Sequence, residues 1–192
     1  MKVTTVILSF LLIAAMFLSA AVAADEATPK ADAAAKFEQP ILITSAGLSA
    51  DVKLVGMLAK RDKLDAEVLE QAQPSDLEGI KTLIMVPGFS SKGLGAAGVS
   101  QADETERVNG LIEAAQKQGV PIITVHIGGT ARRGGQSDAF NKAAAEASKQ
   151  MIVVAQGDED QFFSKIADEK KIPIEIVEKI ANVASPLGAL FK

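Results

Sequence analysis

Residues 41–59 read ILITSAGLSADVKLVGMLA and combine two different apolar patterns. The first is the continuous run from Ile41 to Thr44, which is typical of a strand covered on both faces of a sheet. After a turn at Gly47, apolar residues recur at helical spacing, at Leu48, Val52, Val55 and Ala59. Ser49 is placed to cap the first turn of that helix. A strand, a turn and an amphipathic helix in this order indicate one unit of a parallel α/β sheet.

The same alternation continues to the end of the chain. Further strands are predicted at residues 66–69, 81–86, 121–127, 151–154 and 174–177. Helices are predicted at residues 103–119, 137–148 and 158–166, with a helical tail at 178–192. Strands and helices of this length imply right-handed parallel crossovers. We therefore expect a three-layer α/β sandwich of the flavodoxin or Rossmann type. Its mostly parallel sheet has five or six strands, in the order 2-1-3-4-5 with a sixth strand at an edge.

Polar residues before three of these helices predict their caps. Asp103 with Glu106 resembles a capping box, and Ser137 is placed to cap the next helix. Asp158 with Gln161 is placed to cap the helix predicted at residues 158–166. The run Asp158–Asp160 also has the oxygen ligands that a hard cation prefers, but capping is the favoured interpretation because acidic residues stabilise helix N-termini.

The N-terminal residues predict export. Lys2 is the only charge before Asp25, and an apolar run covers residues 6–22. Small residues at 21–24 then offer signal-peptidase cleavage after Ala23 or Ala24. An uncleaved anchor is the alternative, since the run approaches spanning length. We expect a signal peptide at 1–24, a flexible linker at 25–36 and a single α/β domain with a C-terminal helical tail at 37–192. The mature protein would be periplasmic or secreted, with no stable membrane anchor.

Composition excludes several classes of function. The chain has no Cys and one His, so cysteine nucleophiles, thiolate metal sites and multi-histidine metal sites are excluded within one chain. Its formal net charge of −4 argues against a broad nucleic-acid surface. No cofactor is expected. The letters GLGAAG at 93–98 match a dinucleotide fingerprint. The fingerprint normally follows the first strand, however, and these residues follow the third. The ribose-binding acidic residue expected at the end of the next strand is also missing.

The loops after the strands carry the candidate binding residues. Ligands of open parallel sheets bind outside the carboxyl ends of the strands, near the point where the strand order reverses. Glycines there allow close backbone approach, and guanidinium groups bind carboxylates and phosphates. Glycine and serine also suit any tight turn, and surface arginines are often only solvated. The candidate ligand-binding residues are Ser45, Ser49, Ser90, Ser91, Lys92, His126, Arg132 and Arg133.

Three functions remain open at this point. The favoured one is a non-enzymatic exported protein that binds a small anionic molecule through these residues. The second is a hydrolase in which His126 acts as the general base for a nucleophilic serine at the same edge of the sheet, with Asp138 or Asp158 orienting the histidine. No serine lies in a G-x-S-x-G elbow, which weakens this hypothesis. The third is a module whose rim contacts an envelope protein partner.

The motifs PILITSAGLSADV (40–52), KTLIMVPGFSSKGLGAAG (81–98) and ITVHIGGTARRGGQSD (123–138) together resemble an uncharacterised family of exported bacterial proteins, a domain of unknown function. The resemblance extends over about 37–179. It implies a secreted α/β domain and brings no established activity, substrate or catalytic residue.

Overall fold

The computed structural model describes residues 37–191. The predicted signal peptide at 1–24 and linker at 25–36 lie outside the described residues. Six strands form one parallel sheet in the order β2-β1-β3-β4-β5-β6, which confirms the predicted α/β class and strand order. The strands are β1 (Ile41–Ala46), β2 (Ala66–Val68), β3 (Thr82–Pro87), β4 (Ile122–His126), β5 (Gln150–Val154) and β6 (Ile174–Val177).

Helices lie on both faces of this sheet. They are α1 (Asp51–Arg61), α2 (Ser91–Ala97), α3 (Gln101–Gln118), α4 (Gly135–Ala147), α5 (Phe162–Lys170) and α6 (Ala184–Ala189). Short 3-10 helices at Pro74–Leu77, Gly129–Arg132, Ala155–Gly157 and Ile180–Asn182 lie in the connections. Within the described range, none of the helices is long and apolar enough to cross a membrane.

The alternation of side chains along the strands gives the core two sides. One side packs Ile41, Ile43, Ile84, Ile123 and Ile152 beneath α1 and α6. The other packs Leu42, Leu83, Met85 and Ile122 beneath α3 and α4, and Met151 beneath α5. The four inner strands are therefore covered on both faces, as their continuous apolar runs predicted.

The helix caps differ in part from those predicted. Ser100 is the N-cap of helix α3: its hydroxyl accepts the Asp103 N–H at 3.1 Å, and the Asp103 carboxylate accepts the Ser100 N–H at 2.9 Å. Asp103 is thus the second partner of the capping box, and Glu106 is not involved. Ser137 lies inside α4, where its hydroxyl accepts the Phe89 N–H at 3.1 Å. The predicted cap at Ser137 is therefore wrong, because its hydroxyl binds a distant loop rather than the first turn of its own helix.

Ser49 and Asp158 accept N–H groups at the starts of their helices as predicted, although the N-cap positions are held by Ala50 and Gln161, and the Gln161 side chain makes no capping hydrogen bond. Ser49 Oγ accepts the Asp51 N–H at 3.2 Å at the start of α1. The Asp158 carboxylate accepts the Phe163 N–H at 2.6 Å and the Ser164 N–H at 3.2 Å, within the first turn of α5. Both contacts satisfy donors that a helix N-terminus leaves free.

Candidate functional site

The loops that follow β1 and β3 are joined side by side at the carboxyl edge of the sheet. Gly88 N–H donates to the Ala46 carbonyl at 2.9 Å, and Ser90 N–H donates to the Gly47 carbonyl at 2.8 Å. Leu48 and Phe89 then form an isolated antiparallel bridge. Strand order reverses between β1 and β3, so this junction lies where open parallel sheets bind their ligands.

A groove of about 810 Å³ lies beside this junction. Its base is the loop after β1, with Leu48 and Ala50. One wall is α2 with the loop before it, which contributes Ser90, Lys92, Gly93, Ala96 and Ala97. The other wall is the end of β2 and the connection after it, which contributes Val68, Leu69, Glu70, Gln71 and Asp76. A groove of this size accommodates a small organic ligand.

Of the two lysines that line the groove, one is paired with a carboxylate and the other is not. Lys53, at the base, forms a salt bridge to Glu70 at 3.0 Å. Lys92 is exposed and forms no salt bridge with any described residue. The groove thus presents one ammonium group that remains available to a ligand, above an apolar base that includes Leu48.

Arg132 crosses the ends of β3 and β4 rather than reaching into the groove. Its Nη1 donates to the Phe89 carbonyl at 2.9 Å, and its Nε lies 3.5 Å from an Asp51 carboxylate oxygen. The aliphatic part of the side chain packs on Gly88 and Gly128; a Cβ atom at Gly128 would overlap it, and one at Gly88 would lie in tight contact with it. Glycine at 128 is therefore needed for the arginine to lie flat. Arg132 therefore connects the loop after β3 to the start of α1.

Arg133 is fully engaged by its own domain. Its Nε donates to Asp138 at 2.8 Å, and Nη1 and Nη2 donate to Asp160 at 2.8 and 2.9 Å. The guanidinium also stacks 4.3 Å from the Phe162 ring centroid. Hydrogen bonds from Arg133 lower the pKa of Asp160 to about 2. The structure thus joins Arg133 to two carboxylates and leaves it little capacity for a ligand.

His126 is completely buried at the end of β4. Nε2 lies 3.4 Å from the Gly129 carbonyl, while Nδ1 has no hydrogen-bond partner among the described residues. The His126 ring packs against Phe163, with centroids 4.8 Å apart. Gly157 packs so closely on the His126 ring that a Cβ atom there would overlap it. Burial lowers the pKa of His126, and the Arg133 charge lowers it further, against opposing contributions from the Gly129 carbonyl and Asp51.

The structure does not bring a serine to His126. Ser45 follows Ile41 and Ile43 on the sheet face beneath α1, whereas His126 follows Ile122 on the opposite face. Ser45 Oγ is buried and has no partner among the described residues. Of the other candidate serines, Ser49 is buried, Ser90 caps α2 by accepting the Gly93 N–H at 3.1 Å, and Ser91 is exposed at the first position of α2.

A buried ion pair that the sequence analysis missed supports the same loops. Glu104 and Arg107 on α3 are joined at 2.7 Å, with side-chain exposures of 1% and 7%. Glu104 accepts the Gly47 N–H at 2.8 Å, and Arg107 donates to the Ser45 carbonyl at 2.6 Å and to the Ala72 carbonyl at 2.8 Å. The sequence does contain a signal for this pair: Glu104 lies four residues before Val108, so it falls on the buried apolar face of α3, where a charged residue needs a partner.

The fold and this edge define a three-layer α/β domain with a ligand-sized groove at its topological switch point. The chain belongs to the family described as a domain of unknown function, DUF6305, whose model matches residues 38–191. No curated protein matches the chain significantly.

Among solved structures, the chain is similar to AlinE4, described as an SGNH-hydrolase family esterase, with 11% identity and a TM-score of 0.27 over 79% of this chain and 81% of that one. A serine-to-alanine mutant of the same esterase matches at 10% identity and a TM-score of 0.27, over 79% and 81% of the two chains.

Proposed function

We propose that this protein binds a small organic anion in the groove at the carboxyl edge and acts as an exported binding protein rather than as an enzyme. The observation that carries the proposal is Lys92, an ammonium group without a salt bridge to any described residue, in a ligand-sized groove at the switch point. The exported location rests on the sequence of residues 1–24.

The neighbours of Lys92 suit this role. Ser90 Oγ accepts the Gly93 N–H, which leaves its own O–H free to donate to a bound anion. Leu48, Ala96 and Ala97 give the groove an apolar surface on which the carbon skeleton of an organic ligand can pack. The other predicted residues do not line the groove: Ser45, Ser49 and His126 are buried, Arg132 and Arg133 bind carboxylates of the protein itself, and Ser91 is exposed outside the groove.

The hydrolase alternative lacks a matching arrangement in the described part of the chain. His126 is buried, has no serine as a hydrogen-bond partner, and faces away from Ser45. The interaction alternative draws support from the edge strands, since Val68 of β2 is 36% exposed and Ile176 of β6 is 43% exposed. An envelope protein partner therefore remains the second candidate.

Calorimetric titration at low ionic strength, with a panel of monocarboxylates, dicarboxylates and inorganic phosphate, tests the proposal. At least one organic anion should bind saturably, and Lys92→Gln should weaken it about tenfold, equivalent to about 1.4 kcal/mol. Lys117→Gln is the matched control, because Lys117 is exposed in the last turn of α3 and is not in the groove.

Two results would count against the proposal. If a folded Lys92→Gln protein binds the anion as tightly as the wild type, Lys92 is not the charge-pairing group. If the whole panel fails to bind and an envelope protein is recovered by crosslinking, the interaction function is favoured instead.

A further inference from the structure

We infer that the groove takes a zwitterion of the amino-acid or short-peptide class, with its carboxylate at Lys92 and its ammonium group at Asp76. This inference rests on the proposed function and deepens it, because it adds a second charge of opposite sign to the anion that Lys92 would bind.

The sheet order places these two residues on opposite walls. β1 lies between β2 and β3, and the base of the groove comes from the loop after β1. Lys92 belongs to α2, which follows β3. Asp76 belongs to the 3-10 helix Pro74–Leu77, which follows β2. A ligand lying over Leu48 therefore has a cation on one side and a carboxylate on the other.

Each wall keeps one charge that the protein does not neutralise. Glu70 is paired with Lys53 at 3.0 Å, so its charge is compensated. Asp76 Oδ2 accepts the Gln73 N–H at 2.7 Å, and the carboxylate forms no salt bridge with a described residue. A simple anion would bind Lys92 while facing this second negative charge. An ammonium group at the far end of the ligand turns that repulsion into attraction.

The groove also has apolar side chains on which the hydrocarbon side chain of a zwitterion can pack. Leu48 is in the base, and Val68 and Ala96 stand on opposite walls. Val68 is 36% exposed, so a ligand side chain packed there would bury apolar surface that is now in contact with water. The groove volume of about 810 Å³ exceeds the needs of a single amino acid and suits a short peptide with free termini.

Three probes separate the two charges: L-leucyl-L-leucine, its N-acetyl derivative, which lacks the ammonium group, and its C-terminal amide, which lacks the carboxylate. Calorimetric titration of the protein should show the unmodified dipeptide binding about tenfold more tightly than either derivative. Asp76→Asn should weaken the dipeptide but not the N-acetyl derivative, because the substitution removes a negative charge that repels this anion. Asn retains an oxygen that can accept the Gln73 N–H, so the local turn is preserved.

Lys92→Gln should show the reciprocal pattern: the dipeptide is weakened, whereas the cationic amide is not weakened, because the substitution removes a positive charge that repels it. Asp168→Asn and Lys117→Gln are exposed-surface controls that should alter none of these affinities. Equal affinity for the dipeptide and its N-acetyl derivative would overturn the zwitterion inference while leaving the anion proposal intact. Equal affinity for the dipeptide and its amide would overturn both. Failure of all three probes to bind at millimolar concentration would overturn the inference, and the anion panel would then decide the proposed function.

Discussion

Arg132 and Arg133 are neighbours in the sequence, but their guanidinium groups join different networks at the carboxyl edge. Arg132 lies over Gly88 and Gly128 and reaches Asp51 of α1. Arg133 turns the other way and joins the loop before α4 to Asp160, ahead of α5. The sequence predicted that both would lie at this edge. It could not predict which carboxylates they meet, because Asp160 is brought to Arg133 only by the folding of distant segments.

His126 gives a pH-dependent prediction at the scale of one residue. Burial lowers its pKa in the folded protein below its ordinary value of 6.5. Between 6.5 and the lower folded pKa, the unfolded chain binds a proton that the folded protein does not, so the free energy of unfolding falls as the pH decreases below 6.5. Since this is the one His in the chain, its ring signals can be followed by NMR without assignment by mutagenesis.

The control is His126→Gln, in which the contribution of this residue to the pH dependence should disappear even if the variant is less stable overall. Urea unfolding of both proteins from pH 7.5 to 5 compares the slopes, a range that brackets the ordinary imidazole pKa. A ring pKa at or above the ordinary value in the folded protein would contradict the prediction.

Helix α3 shows how one element can position two loops. Its buried Glu104–Arg107 pair binds backbone groups at Ser45 near the end of β1, at Gly47 just after β1, and at Ala72 in the connection after β2. These are the connections that supply the base and one wall of the groove. A bidentate pair whose remaining donors meet carbonyls is the arrangement in which a buried ion pair is best compensated.

Removing one member of this pair should be costly. Arg107→Met leaves the Glu104 carboxylate buried without its counter-charge, so the free energy of unfolding should fall by about 3–5 kcal/mol in urea denaturation. Lys117→Met on the exposed side of the same helix should change it by less than about 0.5 kcal/mol. A loss below about 1 kcal/mol in Arg107→Met would show that the pair does not hold these loops.

The elements that the sequence predicted well are those with dense apolar patterns. β1, β3, β4 and β5 were found within about two residues of their ends, because continuous apolar runs bounded by Gly and Pro are hard to place elsewhere. Helix α2 has no counterpart among the predicted helices. Its sequence SKGLGAA contains two glycines and buries only Leu94, so it has no apolar periodicity. The Ser90 cap and the close packing of Gly93 on Leu48 support the helix, and that packing is tertiary.

For the whole molecule, the strand order determines where the candidate binding groove lies. The order reverses between β1 and β3, and a groove lies there between α2 and the connection after β2. The space between the loops after β4 and β5 is filled by Arg133, Phe163 and the buried His126. The predicted site spanned the whole edge. In the structure, Ser90 and Lys92 line the groove, and the remaining predicted residues lie outside its walls.

Native mass spectrometry of the protein purified gently from the cells that produce it tests the central claim most directly, because it requires no guess about the ligand. The account predicts a reproducible small adduct on the wild-type protein and on Lys117→Gln, and its loss from Lys92→Gln prepared in the same way. The mass of that adduct would identify the ligand and show whether it carries an amino group. An adduct retained in full by Lys92→Gln would contradict the assignment of the groove as the binding site.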